Sequence, residues 1–191
     1  MIGRFRELMA VTEDFSCLLA DHPRYTYSVT DSIRSVGARA QKVCGPAYTV
    51  RTRGVDLSAV FTSLEEAPPG SVLVIDAQAN QSAAFTGERV CLRAAERGLV
   101  GIIIDGCCRD VEGITRLGFP VYARGSHPAP APRTGTGMVD VPVVCGGAVV
   151  QPGDLVAADA SGIVVAPAGG LEELYAAVTS AADLGVGAPY Q

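Results

Sequence analysis

The sequence predicts an α/β fold in one domain, and three observations support this. Between residues 71 and 123 short apolar strands alternate with helical stretches, the order expected of a layered α/β core. From residue 138 the character changes to short β segments separated by Gly, Pro and Asp. The chain has 191 residues, 48% of them hydrophobic and 18% charged, which is enough apolar material to bury one core and excludes disorder.

Residues 4–20 place Phe5, Leu8, Met9, Phe15, Leu18 and Leu19 at spacings near three and four, predicting one amphipathic helix ended by Asp21-His22-Pro23. VTDSIRSV at 29–36 predicts a second short helix, running from a Thr or Asp cap to Gly37. Polar residues alternate with aromatic and β-branched ones in AYTVRTR, a strand over 47–53. Leu57 to Ala67 reads as a helix running into Pro68-Pro69-Gly70. SVLVID at 71–76 is a nearly continuous apolar strand, suited to a sheet buried on both faces.

A helix over 88–97 closes at Gly98, and a second apolar strand, 100–104, ends at Asp105-Gly106. Another helix over about 110–117 stops at Gly118, and a third strand covers 119–123. VDVPVVCGG, AVVQPGD, LVAADASG and IVVAP then predict antiparallel or mixed strands joined by tight turns. Leu171 to Asp183 is a last helix, and the tail after Gly185 is expected to fray. The sequence shows no internal repeat, low-complexity segment or linker, so residues 1–191 read as a single domain.

A net charge of −5 with no basic run argues against a nucleic-acid-wrapping surface. No apolar stretch approaches the roughly 20 residues of a membrane span, and the N-terminus lacks a signal core, so a cytoplasmic protein is expected. Six cysteines show no CxxC pairs, and most of them read as buried apolar side chains in a reducing compartment. Cys107-Cys108, placed in a loop by this reading, has no histidine nearby in sequence and is not expected to be catalytic. With only His22 and His127, one chain cannot build a multi-histidine zinc site; His127, in the Pro-rich loop GSHPAPAPRTGTG, reads as an exposed loop residue, with a place at the border of a site as the alternative. Gly135-Thr136-Gly137 is too short for a nucleotide fingerprint and reads as a turn.

The segment from Gly87 to Asp110 carries the chemistry. A ten-residue helix is about 15 Å long and a five-residue strand about 17 Å, so antiparallel packing returns the helix start to the strand end. Gly87 and Arg109-Asp110 are then neighbours, with Asp76 expected on the same rim. Free N–H groups at 87–90 carry the positive end of the helix dipole and suit a carboxylate or phosphate. Arg109 supplies a planar fork for an anionic oxygen, and Asp110 a hard oxygen for magnesium or manganese. The bland alternative is an Arg–Asp pair in which Asp110 only caps the next helix.

At these residues the chain resembles the RraA-like proteins, which include 4-hydroxy-4-methyl-2-oxoglutarate aldolases. The resemblance spans about 28–183 and is carried by D-G-x-x-R-D at 105–110 and G-G-x-x-V-x-P-G-D-L at 146–155. It implies a compact α/β sandwich of mixed sheets with flanking helices, assembled as a homotrimer or hexamer with sites between subunits. It also implies a divalent metal, Mg or Mn, and retro-aldol cleavage of a 4-hydroxy-2-oxo diacid to pyruvate through an enolate, with oxaloacetate decarboxylation alongside. Carried over by motif, Gly87, Glu88, Arg89 and Val90 bind substrate, Arg109 binds its carboxylate or developing enolate, and Asp110 holds the metal.

Glu88 stands where one aldolase branch has Asp, and its longer arm is expected to reach a metal-bound water. Gly113 stands where aldolase members often carry an acid. In some relatives a C-terminal acid of a neighbouring subunit joins the metal shell, which here points to Glu172, Glu173 or Asp183. Two alternatives remain: a non-catalytic regulator that binds a ribonuclease, a group that tends to lack the Asp after the motif arginine, and a different metal-enolate reaction. Of the 15 basic residues only Lys42 is a lysine, and it lies far in sequence from the anion pocket. If the protein is an aldolase, a metal route is therefore favoured over a Schiff base.

Overall fold

The computed structural model describes residues 1–37 and 40–183. The helices are α1 (Ile2–Val11), α2 (Phe15–Ala20), α3 (Ser58–Glu66), α4 (Glu88–Glu96), α5 (Val111–Leu117) and α6 (Leu171–Asp183). The strands are β1 (Tyr27–Ser28), β2 (Arg34–Ser35), β3 (Val43–Arg51), β4 (Val72–Thr86), β5 (Gly101–Cys108), β6 (Val121–Ser126), β7 (Met138–Val139), β8 (Val143–Cys145), β9 (Ala148–Val150), β10 (Leu155–Ala158) and β11 (Ile163–Ala166). The main sheet runs β1-β11-β10-β3-β4-β5-β6-β2, with β7 added on β3. Strands β3 to β6 are parallel and the flanking pairs antiparallel, so the expected α/β sandwich with a mixed sheet is what the chain forms.

Alternation along the apolar strands places a core on each face. Ile102 and Ile104 pack with Val60, Leu64, Cys91, Ala94 and Ile114 from the helix layer. Ile103 between them packs the opposite way, with Val74, Tyr122 and Val143, Cys145 and Val150 of the β8–β9 hairpin. A third cluster joins Phe5, Phe15, Leu19, Leu174 and Val178 to Leu155 and Val164. Every strand position from Gly101 to Cys108 is buried, as expected for a sheet covered on both sides.

Several expected boundaries move. The helix over 4–20 is two helices, because Asp14 adopts a left-handed conformation (φ 44°) and accepts a hydrogen bond from Ser161 Oγ at 2.8 Å. Residues 29–36 form no helix; Arg34 and Ser35 pair with Ala123 and Tyr122 instead. Ser and Thr side chains there compete with a helical backbone, and strand pairing wins. Strand β4 does not end at Asp76 but continues to Thr86 through left-handed Gln78 and Ala79 and successive register shifts. Strand β5 likewise passes Asp105-Gly106, which puts Cys107 and Cys108 in a buried strand rather than a loop. Burial pushes the Cys108 thiol up to about 11 and that of Cys91 to about 12, so neither is a nucleophile at neutral pH. Among the described residues no helix is long and apolar enough to cross a membrane. The expected fraying after Gly185 concerns residues outside those described.

Candidate active site

The parallel strands β4, β5 and β6 end in register, Thr86 beside Cys108 and Cys108 beside Ser126. The next residue on each, Gly87, Arg109 and His127, is held to its neighbour by main-chain bonds. Arg109 N–H donates to Thr86 O (2.9 Å) and His127 N–H to Cys108 O (2.8 Å). This is the carboxyl edge of the parallel strands, where ligands of open α/β sheets collect.

Helix α4 starts at that edge, and Asp110 reaches across to it. Asp110 sits first before α5 in a left-handed conformation (φ 57°, ψ 42°), which costs on the order of 1 kcal/mol. Its carboxylate makes no cap on α5. Oδ2 instead accepts the Glu88 N–H at 3.2 Å, and Oδ1 accepts Arg109 Nε–H at 3.1 Å. The bland capping alternative for its own helix is thereby set aside. One amide of the predicted anion pocket is already engaged by Asp110, which leaves the first-turn amides of Arg89 and Val90 without intrahelical acceptors.

Gly87 makes the approach possible. Its φ of −166° is ordinary extended backbone, but a Cβ there would stand 2.6 Å from Asp110 Oδ2 and 2.8 Å from Arg109 Cγ. Two cavities share the Arg109–Asp110 pair in their walls. One of about 220 Å³ is lined by Thr86, Gly87, Arg89, Val90 and Pro130, and one of about 290 Å³ by Ser126, His127 and Pro128. The side chains of Arg109 and Asp110 are 38% and 36% exposed, open to a ligand yet partly shielded from water. Gly87, Glu88, Arg89, Val90, Arg109 and Asp110 are thus brought to one place.

The Glu88 side chain turns away from both cavities. Its carboxylate pairs with Arg116 Nη2 at 2.9 Å and lies against buried Gly113 of α5. A Cβ at 113 would be 2.5 Å from Glu88 Oε2 and 2.9 Å from Oε1. Residue 113 is small because the Glu88 carboxylate fills the space beside it, which gives the departure at 113 a physical reason. Gly113→Ala alone is expected to leave stability nearly unchanged, since a helix-propensity gain of about 0.5–1 kcal/mol is offset by displacement of Glu88 from Arg116. Combined with Glu88→Ala the gain should appear in full, a non-additivity that denaturant unfolding of the four proteins measures.

Asp76 is not on this rim. Its carboxylate accepts N–H groups of Gln78 (3.0 Å) and Val144 (3.3 Å), while Asp105 pairs with Arg124 and accepts the Gly146 N–H at 2.8 Å. Together they pin the β8–β9 hairpin against the sheet. Glu172 and Glu173 open α6, remote from both cavities of their own chain, and Glu172 faces Arg4 at 3.8 Å. The side chain of Asp183 lies outside what is described.

His127, read from sequence as more readily an exposed loop residue than the border of a site, is half-buried and lines the second cavity. The Pro-rich segment after it crosses the end of β5 to pair with Ala84 of β4, through Ala84 N–H to Ala129 O (2.8 Å) and Ala131 N–H to Ala84 O (2.9 Å). That crossing makes the segment a cavity wall. The available signal was the count along adjacent parallel strands, which sets 127 level with 109.

A family profile described as RraA-like: Aldolase/RraA matches residues 17–165. The chain belongs to the RraA-like family. It is 39% identical over 142 residues to a protein of Halalkalibacterium halodurans provisionally named 4-hydroxy-4-methyl-2-oxoglutarate aldolase, covering 74% of this chain and 67% of that one. A similarly named protein of Aromatoleum aromaticum is 36% identical over 137 residues, covering 72% of this chain and 85% of that one. Among solved structures, the RNA-processing inhibitor RraA from Thermus thermophilis superposes with a TM-score of 0.75 at 29% identity, covering 82% of this chain and 94% of that one. A Geobacillus kaustophilus structure titled S-adenosylmethionine: 2-dimethylmenaquinone methyltransferase has a TM-score of 0.74 at 35% identity, covering 81% and 94%.

Proposed function

We propose that this RraA-like chain is a divalent-metal-dependent lyase that cleaves a 4-hydroxy-2-oxo diacid, such as 4-hydroxy-4-methyl-2-oxoglutarate, to pyruvate, with oxaloacetate decarboxylation as a side activity. The observation that carries the reading is the Asp110 carboxylate, held in a strained backbone position beside Arg109 and the α4 N-terminus instead of capping its own helix. The names of the curated relatives point the same way.

The residues fit a hard cation. Asp110 presents one partly exposed carboxylate to a polar cavity, and among the described residues no three His, Cys, Asp or Glu side chains cluster. One oxygen ligand suits magnesium or manganese, which retain waters, and does not suit zinc. Asp110 would hold the ion, and when bound it supplies Lewis-acid polarisation of the 2-oxo group.

The protein's own groups bind and orient the substrate, while a water at the site would take the proton leaving the C4 hydroxyl and return one to C3 of the enolate. Arg89 and the amides of Arg89 and Val90 bind the 1-carboxylate at the positive end of α4. The Arg109 guanidinium, whose Nε is fixed by Asp110, directs its remaining N–H groups to the oxygen on which charge grows as the C3–C4 bond breaks. Loss of carbon dioxide from oxaloacetate leaves electrons on the same carbon and draws on the same groups. Lys42 cannot form a Schiff base at this site, because it stands just before the start of β3, at the opposite end of the parallel strands, where its Nζ donates to the carbonyls of Thr12 (2.6 Å) and Met9 (3.4 Å) at the end of α1.

Pure protein with magnesium or manganese should release pyruvate from 4-hydroxy-4-methyl-2-oxoglutarate and, more slowly, from oxaloacetate, and chelation by EDTA should abolish both. No pyruvate from either substrate with metal present would overturn the reading. Assembly as a homotrimer or hexamer belongs to the same proposal. Exposed Tyr27, Val144 and Val149 are apolar surface available to such contacts, and sedimentation reads the mass. The six free thiols fit a cytoplasmic location. A second reading, contact inhibition of a ribonuclease, is favoured by similarity to the RNA-processing inhibitor. Capture of a ribonuclease by a chain that releases no pyruvate would support it.

A further inference from the structure

We infer that His127 is a specificity-determining residue, whose ring binds the distal carboxylate of a 2-oxo diacid lying across Arg109 and Asp110. The inference rests on the proposed reading of that site and adds the part of it that selects substrate. Arg109 and Asp110 border both cavities, so a ligand centred on them has an arm on each side. The cavity at the α4 N-terminus offers a cation, Arg89, and helix amides, and takes the 2-oxo acid end. The other cavity is lined by Ser126, His127 and Pro128, whose polar side chains are a hydroxyl and an imidazole.

The imidazole is oriented. Nδ1 accepts the Ala129 N–H at 3.2 Å, a shorter contact than the 3.4 Å to the Ala129 carbonyl, so the hydrogen-bond pattern assigns the proton of the neutral ring to Nε2. No described residue bonds to Nε2, and the half-buried ring stands on the strand position next to Arg109. Held in this way, the ring lines the cavity and keeps an N–H donor at Nε2, and the proline on either side of Ala129 stiffens the segment that holds it. A carboxylate two or three carbons beyond the 2-oxo group is the anion that such a donor, helped by the Ser126 hydroxyl, is placed to receive.

The test uses unreactive ligands, so that it stands apart from turnover. In the presence of magnesium, 2-oxoglutarate carries both carboxylates and pyruvate lacks the distal one; calorimetric titration of each compares wild type with His127→Ala and His127→Gln. His127→Ala should weaken 2-oxoglutarate by about tenfold or more and leave pyruvate within twofold. His127→Gln, which keeps an N–H donor, should recover part of the loss, with melting temperatures of all three alike. Equal weakening of both ligands, unchanged 2-oxoglutarate binding, or wild type binding 2-oxoglutarate no better than pyruvate would each overturn the inference. If the protein releases no pyruvate from any 4-hydroxy-2-oxo acid yet shows the expected binding difference, the lyase reading fails and the His127 assignment stands.

Discussion

Gly87→Ala is expected to lower kcat/KM for pyruvate release by about 10²-fold while leaving the fold intact, because displacing reacting groups by an ångström has costs of that order. The backbone at 87 is extended, so alanine adds no strain there. The whole effect falls on the site, since the added methyl would occupy space 2.6 Å from Asp110 Oδ2 and 2.8 Å from Arg109 Cγ. Both side chains must move, and Asp110 loses its bond to the Glu88 amide. Steady-state kinetics alongside thermal unfolding checks this: a large fall in rate with a melting temperature within a few degrees is the expected pair. Unchanged kinetics would mean that the closeness of Gly87 to the pair is packing alone.

Asp110→Asn should be more damaging to activity and gentler on structure. Asparagine tolerates the left-handed backbone that Asp110 adopts, and its amide oxygen still accepts one of the two hydrogen bonds. What disappears is the negative charge. The expected loss is at least about 10³-fold in kcat at saturating magnesium, at the upper end of what removal of one electrostatic contact costs. Asp110→Ala should lose as much activity and additionally destabilise the fold by about 1 kcal/mol, because alanine pays the full penalty of the left-handed region. Comparing unfolding of the two variants separates charge from backbone strain.

The site was legible in sequence to the extent that its parts are contiguous. The run from Gly87 through the strand to Asp110 is expected to fold back on itself from simple lengths of helix and strand, and the structure puts Gly87, Arg109 and Asp110 together although the strand is eight residues long and not five. The boundaries that moved did so where polar residues continue a strand. AQANQSAAFT shows no apolar alternation, yet β4 runs through it by way of two left-handed residues, which no local pattern announces. The place of His127 at a cavity was only the alternative reading for a related reason. It depends on pairing between strands, and a proline-rich segment read alone looks like exposed loop. Asp76 was misplaced because the hairpin that claims its carboxylate arrives nearly seventy residues later.

The only lysine is also the clasp between the end of the first helix and the start of β3, with its ammonium resting on two main-chain carbonyls. Acylating reagents that target side-chain amines therefore have a single address on this chain, and reaction there removes the charge that ties the N-terminal helix down. An amine-directed label would report the docking of that helix, and it would do so at a distance from the strand ends where Arg109 and Asp110 lie.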